Sequence, residues 1–397
     1  MKSAGPSTLG EVAWTFLRLG CLSFGGPVAH IGYFRAELVE RRKWLTDAHF
    51  GDLVALCQFL PGPASSQVVF AVGMQRAGIL GAIAASACFT LPSALLMIGF
   101  AYGVARVPDF HRAGWLHGLK LAAVAVVAQA VWAMASKLCP DRARATLCLG
   151  AAAVLGAAPG AIAQLGVISM GGLVGFLLYR KKLEISPAST PPGRHLVAAM
   201  ALAAFFGLLL FTPVVASLTD AREAKVFDSF YRSGSLVFGG GHVVLPLLRA
   251  EVVPRGWVTN DQFLAGYGAA QAIPGPLFTF SAYLGAAMQP GPPRWQSGLL
   301  CLVAIFLPAW LLIGGALPFW HRLRQKAWAQ AALAGANASV VGVLLSALYN
   351  PVFLEGVKSG GDLCVALVAF GLLQHWKAPP WVVVLGSALS GEWLLTH

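Results

Sequence analysis

The chain has 397 residues, 57% of them hydrophobic and 11% charged, with a mean hydropathy of +0.70, which excludes a soluble globular domain and places it among polytopic membrane proteins. Its formal charge of +12 does not signal nucleic acid, because the basic residues cluster in short loops between apolar runs, as orienting loops of membrane proteins do. Seven scattered cysteines (Cys21, Cys57, Cys88, Cys139, Cys148, Cys301, Cys364) without CxxC or HExxH spacing indicate neither a disulfide framework nor a metal site.

From the N-terminus, Met1 to Thr8 carries one Lys and no apolar core, so no cleaved signal peptide is expected. The stretch LRLGCLSFGGPVAH, Leu17 to His30, is membrane-like but contains Arg18 and is interrupted by Gly25-Gly26-Pro27. A second interruption, Pro61-Gly62-Pro63, follows. Apolar runs of spanning length lie at Ala77 to Ala105, Trp115 to Ser136, Leu196 to Leu218, Trp295 to Trp320 and Trp328 to Tyr349, each near the ~20 residues that cross a bilayer as helix. None alternates with period two, so a barrel is excluded.

The chain repeats itself. Phe16-x-Arg18-x-Gly20-x-Leu22-x-Phe24-Gly25-Gly26 recurs as Phe230-x-Arg232-x-Gly234-x-Leu236-x-Phe238-Gly239-Gly240, every named residue at an offset of 214. Arg35 and Glu37 fall on Arg249 and Glu251; after a one-residue deletion Trp44, Thr46, Phe50, Gln58 and Pro61-Gly62-Pro63 fall on Trp257, Thr259, Phe263, Gln271 and Pro274-Gly275-Pro276. Gly118-Leu119-Lys120 pairs more loosely with Gly335-Ala336-Asn337. Two homologous repeats, 1–182 and 217–397, are therefore expected, joined over 183–216 by a proline-bearing linker and an odd crossing helix.

Each glycine motif divides its element into arms of roughly 14 residues, which rise only ~21 Å and fall short of a ~30 Å hydrocarbon core. Such elements should enter and leave by one face, and the same arithmetic applies around each PGP. With four re-entrant hairpins, Arg35, Arg41, Arg42, Lys43, Lys137, Arg142, Arg144, Arg180, Lys181, Lys182, Arg194, Arg322, Arg324 and Lys326 share one side. The other side holds Arg106, Arg112, Arg222, Lys225, Arg249, Arg255, Arg294 and Lys358. The richer side is expected to be cytoplasmic. The expected fold is an all-α polytopic transporter of two homologous halves in inverted topology, with broken, re-entrant helix hairpins.

Backbone that leaves helical geometry inside a bilayer exposes N–H and C=O groups, each costing several kcal/mol unless protein or a wet cavity receives it. A lone Gly or Pro in a membrane helix usually serves packing or a kink. Four breaks at matching positions of two repeats point instead to a transport site built from discontinuous helices, and unpaired N–H groups where a helix restarts suit an anion. Candidate substrate-binding residues are thus Ser23, Gly25, Gly26, Gln58, Pro61, Gly62 and Pro63 in the first repeat, and Gly239, Gly240, Gln271, Pro274, Gly275 and Pro276 in the second.

Arg18 and Arg232, each about two turns before a break, must meet an anion, carbonyls or water. As a pair they could face one dianion with forked donors; the alternatives are snorkelling or pairing with an acid such as Glu11 or Asp228. Lys120, in the middle of a span with no acid near it in sequence, is a further candidate. Ser65, Ser66, Gln67, Ser235, Thr279 and Ser281 either line the same place or bond to the carbonyl a turn earlier. Asp52, whose counterpart is Ala265, is a candidate for carrying a proton during exchange, with a salt bridge as the alternative. Glu37 and Glu251 read as loop salt bridges. His30 and His242 follow their breaks without aligning, and only hydrogen bonding is assigned to them.

Phe24-Gly25-Gly26-Pro27, the run Trp44-Leu45-Thr46-Asp47 leading to Gln58-x-x-Pro61-Gly62-Pro63, and their echoes in the second half resemble the chromate ion transporter family in its long, two-repeat form, over nearly the whole chain. The resemblance implies export of chromate, with sulfate as structural analogue, from the bacterial cytoplasm through the inner membrane, giving chromate resistance by an ion-coupled mechanism. Gly241 stands where the first half has Pro27, which argues against equal roles for the two breaks. The residues alone support an anion-selective secondary transporter. No GxxxxGK[ST] loop is present and no soluble domain to hold ATP, so an ion gradient or the membrane potential is the expected energy source. No cofactor is indicated. Paired carboxylates, a nucleophile constellation and metal spacing near a membrane face are lacking, which argues against an enzyme; a sulfate or other oxyanion permease and a channel are the remaining rivals. Expected partners are the oxyanion and the lipid bilayer, with no nucleic acid and a homodimer left open.

Overall fold

The computed structural model describes residues 8–24, 26–106, 113–158, 160–179, 195–238, 241–319 and 326–396, and among them contains helices and no strand. Six of its helical segments are long and apolar enough to cross a membrane: Ala64–Val104, Gly114–Leu138, Ile162–Tyr179, Leu196–Leu218, Trp295–Phe319 and Ala327–Gly356. Five correspond to the apolar runs of the sequence. The sixth, Ile162–Tyr179, is added by the structure.

The first repeat opens with α1 (Leu9–Leu22), capped by the Thr8 hydroxyl accepting from Glu11 N. The helix ends at Ser23 and restarts as α2 (Gly26–Phe34), which continues through a π-helical turn, Arg35–Arg41. Arg42 Nη1 lies 3.1 Å from Glu11 Oε1, so the start of α1 and the end of the restarted helix share one end of the molecule. The element is re-entrant.

Next come α3 (Asp47–Phe59) and α4 (Ala64–Val104), flanking Pro61-Gly62-Pro63. His49 Nε2 sits 3.2 Å from Gln75 Oε1, which closes a second hairpin at the same end. Within α4 the chain reverses at Ala77-Gly78, where Gly78 has φ +65°. A Cβ on Gly73 would lie 2.5 Å from Gly81 O and 2.8 Å from Ala85 Cβ, so arm 79–104 runs back along arm 64–76 in a contact only small residues allow. The repeat is completed by α5 (Gly114–Leu138), α6 (Arg142–Ala157) and α7 (Ala161–Tyr179). Asp141 caps α6 and joins it to the end of α7; the Tyr179 hydroxyl, the Arg144 backbone N–H and the Arg144 guanidinium hold its carboxyl down at about 2.

After α8 (His195–Leu218) the same order returns as α9 (Arg222–Ser235), α10 (Val244–Val252), α11 (Asn260–Ala272), α12 (Phe280–Ala287), α13 (Trp295–Ala316), α14 (Ala327–Ala347), α15 (Gly360–Gln374) and α16 (Pro380–Thr396). The repeats interlock rather than sit side by side. A Cβ on Gly118 of α5 would fall 2.0 Å from Ser387 O of α16, and one on Gly335 of α14 2.0 Å from Gly171 O of α7. Gly391 likewise abuts Gly114, and Gly175 abuts Ala331. Each long helix therefore beds in the small-residue groove of the other repeat's last helix, and Gly118 corresponds to Gly335.

These contacts also fix the orientation. At the end where the first-repeat hairpins open, Met74 approaches Gly314 near the end of α13, and Leu202 and Ala198 near the start of α8 approach Gly315. At the opposite end Trp295 N is 3.2 Å from Tyr102 Oη, Trp115 N donates to Glu392 Oε2 at 2.9 Å, and Arg222 bonds to the Gln289 carbonyl. The second-repeat hairpins open there, beside the ends of α4 and α8. The halves are inverted, with Arg41 and Arg255 at opposite ends.

Each mouth carries the same small cluster. Glu37 accepts from Arg41 at 2.9 Å and Arg42 at 2.7 Å, and the guanidinium groups of Arg42 and Arg76 lie 5.1 and 5.0 Å from the Trp44 ring centroid. Glu251 accepts from Arg255 at 3.0 Å, and Arg255 lies 5.0 Å from the Trp257 ring centroid. Glu37 and Glu251 do form salt bridges, but from helical positions and not with the arginines two residues away: Arg35 pairs with Glu40 and Asp47, and Arg249 bonds to Asn260.

Candidate functional site

At the centre, two hydrogen bonds tie the repeats together. Gly62 N donates to Val237 O at 2.7 Å, and Gly275 N donates to Ser23 O at 2.8 Å. Gly62 and Gly275 are counterparts, and Ser23 and Val237 are counterparts, so the PGP turn of each repeat docks on the residue that precedes the FGG break of the other. The carbonyls are available because each helix has just ended. Only glycine serves at the two donors: φ is +114° at Gly62 and +100° at Gly275, and a Cβ would come within 2.9 Å of Ala309 Cβ in one case and 2.7 Å of Ser93 Oγ in the other. Those two neighbours directly follow the prolines inside α13 and α4, Pro308 and Pro92. Four helix breaks therefore meet in one pseudo-symmetric crossing.

Several buried polar atoms on these elements have no hydrogen-bond partner among the described residues. They are Ser23 Oγ, His30 Nδ1, Ser66 Oγ, Gln67 Oε1, Gln271 Nε2 and Trp310 Nε1. Each such atom costs about 1–3 kcal/mol against its hydrated state. Gln67 is anchored by its amide nitrogen, which donates to Pro61 O at 2.8 Å. The set includes hydroxyls, an amide N–H and an indole N–H, donors that suit oxyanion oxygens.

Not every sequence candidate joins this cluster. Pro61, Gly62, Pro63, Pro274, Gly275 and Pro276 form the crossing, and Gly26, at φ +75°, starts α2 beside it. Gly25, Gly239 and Gly240 lie outside the described residues. Gln58 is exposed on α3, unlike its counterpart Gln271. Ser65 is buried. Ser235, Thr279 and Ser281 each bond to a carbonyl three or four residues earlier at 2.8 Å. Asp52 is half-buried on α3.

The basic candidates take different places, and for Arg232 the structure has the alternative of pairing with Asp228. Arg18 and Arg232 are not a matched pair: Arg18 is exposed on the face of α1 that carries Trp14, Cys21 and Leu22, with no ion pair or hydrogen bond among the described residues. Arg232 is held by Asp228 at 2.8 Å and Glu251 at 3.4 Å, acids that also accept from Thr212 and Ser229 at 2.8 and 2.9 Å. Its charge is neutralised inside the protein. Lys120 has no acid near it in sequence but meets one across the repeats, with Nζ 2.6 Å from Asp261 Oδ1.

Two histidines gain a place that their lack of alignment concealed. His30 is fully buried, its Nε2 3.2 Å from Ser23 O. His242 has Nδ1 2.7 Å from the Tyr267 hydroxyl, and its Nε2 is 4.0 Å from where a Cβ on Gly26 would stand. Proximity to the breaks, within four residues of Gly26 and two of Gly240, was the available signal.

Comparison with known proteins bears on this arrangement. The family model described as Chromate transporter matches the chain twice, over residues 10–176 and 224–392. The chain belongs to the chromate transporter family. A chromate transport protein of Pseudomonas aeruginosa is 31% identical over 98% of this chain and 93% of its own length. One from Cupriavidus metallidurans is 28% identical over 98% and 94%. A transporter of Bacillus subtilis, YwrA, is 27% identical over 43% of this chain but 97% of its own length, so one repeat of the family pattern also occurs as a separate chain. No solved structure matches. The two matched stretches contain the FGG and PGP segments that meet at the crossing.

Proposed function

We propose that the chain is a secondary transporter that exports chromate across the bacterial inner membrane and confers chromate resistance. The supporting observation is the crossing of the four breaks by the reciprocal bonds Gly62 N to Val237 O and Gly275 N to Ser23 O, on elements that also carry buried polar atoms with no partner among the described residues. A pseudo-symmetric centre between inverted repeats can face either end by exchanging equivalent arrangements. Bound there, a tetrahedral dianion would meet Ser23, Gly26, Gln271 and the backbone of the two PGP turns. Dianions leaving an inside-negative cell gain about 4.6 kcal/mol per 100 mV, so the potential favours export without ATP. Asp52 on α3 is the residue proposed to carry a coupling proton.

Purified protein in proteoliposomes with imposed potential and pH gradients tests this directly. Saturable chromate flux, accelerated when the chromate-containing side is negative, and lower chromate accumulation in expressing cells are expected. Sulfate flux without chromate flux, or uptake that leaves cells sensitive, would replace export of chromate by an oxyanion permease.

A further inference from the structure

The imidazole of His242 stands where both repeats meet, and its hydrogen bonding fixes which nitrogen carries the proton. Tyr267 is fully buried on α11, and among the described residues its hydroxyl has no acceptor other than His242 Nδ1, 2.7 Å away. Were Nδ1 the protonated nitrogen, the tyrosine proton would be left buried without an acceptor, a cost the arrangement avoids when the hydroxyl donates. The proton of the neutral ring therefore sits on Nε2. That nitrogen points across the repeat boundary toward Gly26, whose missing side chain leaves the approach open. His30 is arranged the opposite way: its Nε2 donates to Ser23 O, and its Nδ1 offers a lone pair that repels an anion. The counterparts of His242 and Tyr267 are Val28 and Val54, so the feature belongs to one break only.

We propose that His242 Nε2–H is a direct donor to the transported oxyanion and that Tyr267 is its positioning residue. The proposal rests on the oxyanion-transport function above. It makes substrate recognition depend on a neutral side-chain donor from the second repeat, placed against the glycine break of the first, rather than on a pair of arginines.

The test compares His242→Ala, His242→Gln and Tyr267→Phe in proteoliposomes, reading KM and maximal chromate flux, with thermal unfolding of the ligand-free protein as a check on folding. His242→Ala should raise KM about tenfold or more, the loss expected for one hydrogen bond to a charged group. His242→Gln retains an N–H donor and should recover most of that loss. Tyr267→Phe should raise KM several-fold at unchanged maximal flux, because the ring loses the partner that fixes its tautomer. Wild-type KM in a folded His242→Ala protein, or equal damage by Gln and Ala, overturns the assignment while leaving chromate transport intact. Wild-type protein that carries neither chromate nor sulfate removes the transport function and the assignment with it.

Discussion

Four residues before each repeated arginine the two halves differ: Trp14 precedes Arg18, and Asp228 precedes Arg232. One helical turn then gives Arg232 an acid on its own face and gives Arg18 an exposed aromatic ring. Removal of the two side chains should therefore have unlike consequences. Arg232→Ala leaves Asp228, 5% exposed, without its cation, and breaking such a buried pair costs about 3 kcal/mol or more. Arg18→Ala breaks no bond among the described residues and should cost about 0.5 kcal/mol or less. Thermal unfolding in detergent reads both, and Asp228→Asn added to Arg232→Ala should restore much of the lost stability. Equal destabilisation by the two single variants would contradict the asymmetry. The repeated arginines were legible in the sequence and their environments only partly so, because Asp228 is one turn away whereas Glu251 is brought in by the fold of α10 onto α9.

Breaks in helices are the most legible elements, since Gly-Gly-Pro and Pro-Gly-Pro deprive the backbone of donors and restraint wherever they occur. Their partners across the molecule are not, because no periodicity says that the turn at Gly62 will dock on Val237. The same limit applies to α5, whose Lys120 and His117 reach Asp261 and Asp362 of the other repeat at 2.6 and 2.7 Å. The symmetry-related positions of Lys120, His117 and Asp261 are Asn337, Ala334 and Ala48, so this tie between repeats exists at one end only. In an inverted-repeat transporter such an imbalance should bias which end is closed. Lys120→Asn, which makes α5 match α14 here, should speed labelling of a cysteine placed at Gln271 by a reagent added on the Asp261 side. Exchanging the charges, Lys120→Asp with Asp261→Lys, should return the rate toward the parent value. Labelling unchanged in Lys120→Asn would show that the tie does not hold that end shut.

At the scale of the whole molecule, one odd helix decides orientation. Both first-repeat hairpins open at the end where α13 finishes and α8 begins, and both second-repeat hairpins open where α8 finishes, so α8 carries the chain across and turns the second repeat over. Charge agrees with geometry: Arg35, Arg41, Arg42 and Lys43 lie at the first end, and the structure adds Arg76, packed on Trp44, to their number. This concentration should keep the first-repeat mouth in the cytoplasm, because clustered Lys and Arg in short loops resist translocation. A cysteine at Arg41 should then react with a membrane-impermeant maleimide only in inverted vesicles, and one at Arg255 only in intact spheroplasts. If both react from the same face, the hairpins cross fully, the two repeats are parallel, and the central crossing of Gly62 with Val237 and Gly275 with Ser23 loses the symmetry that lets one site serve both sides of the membrane.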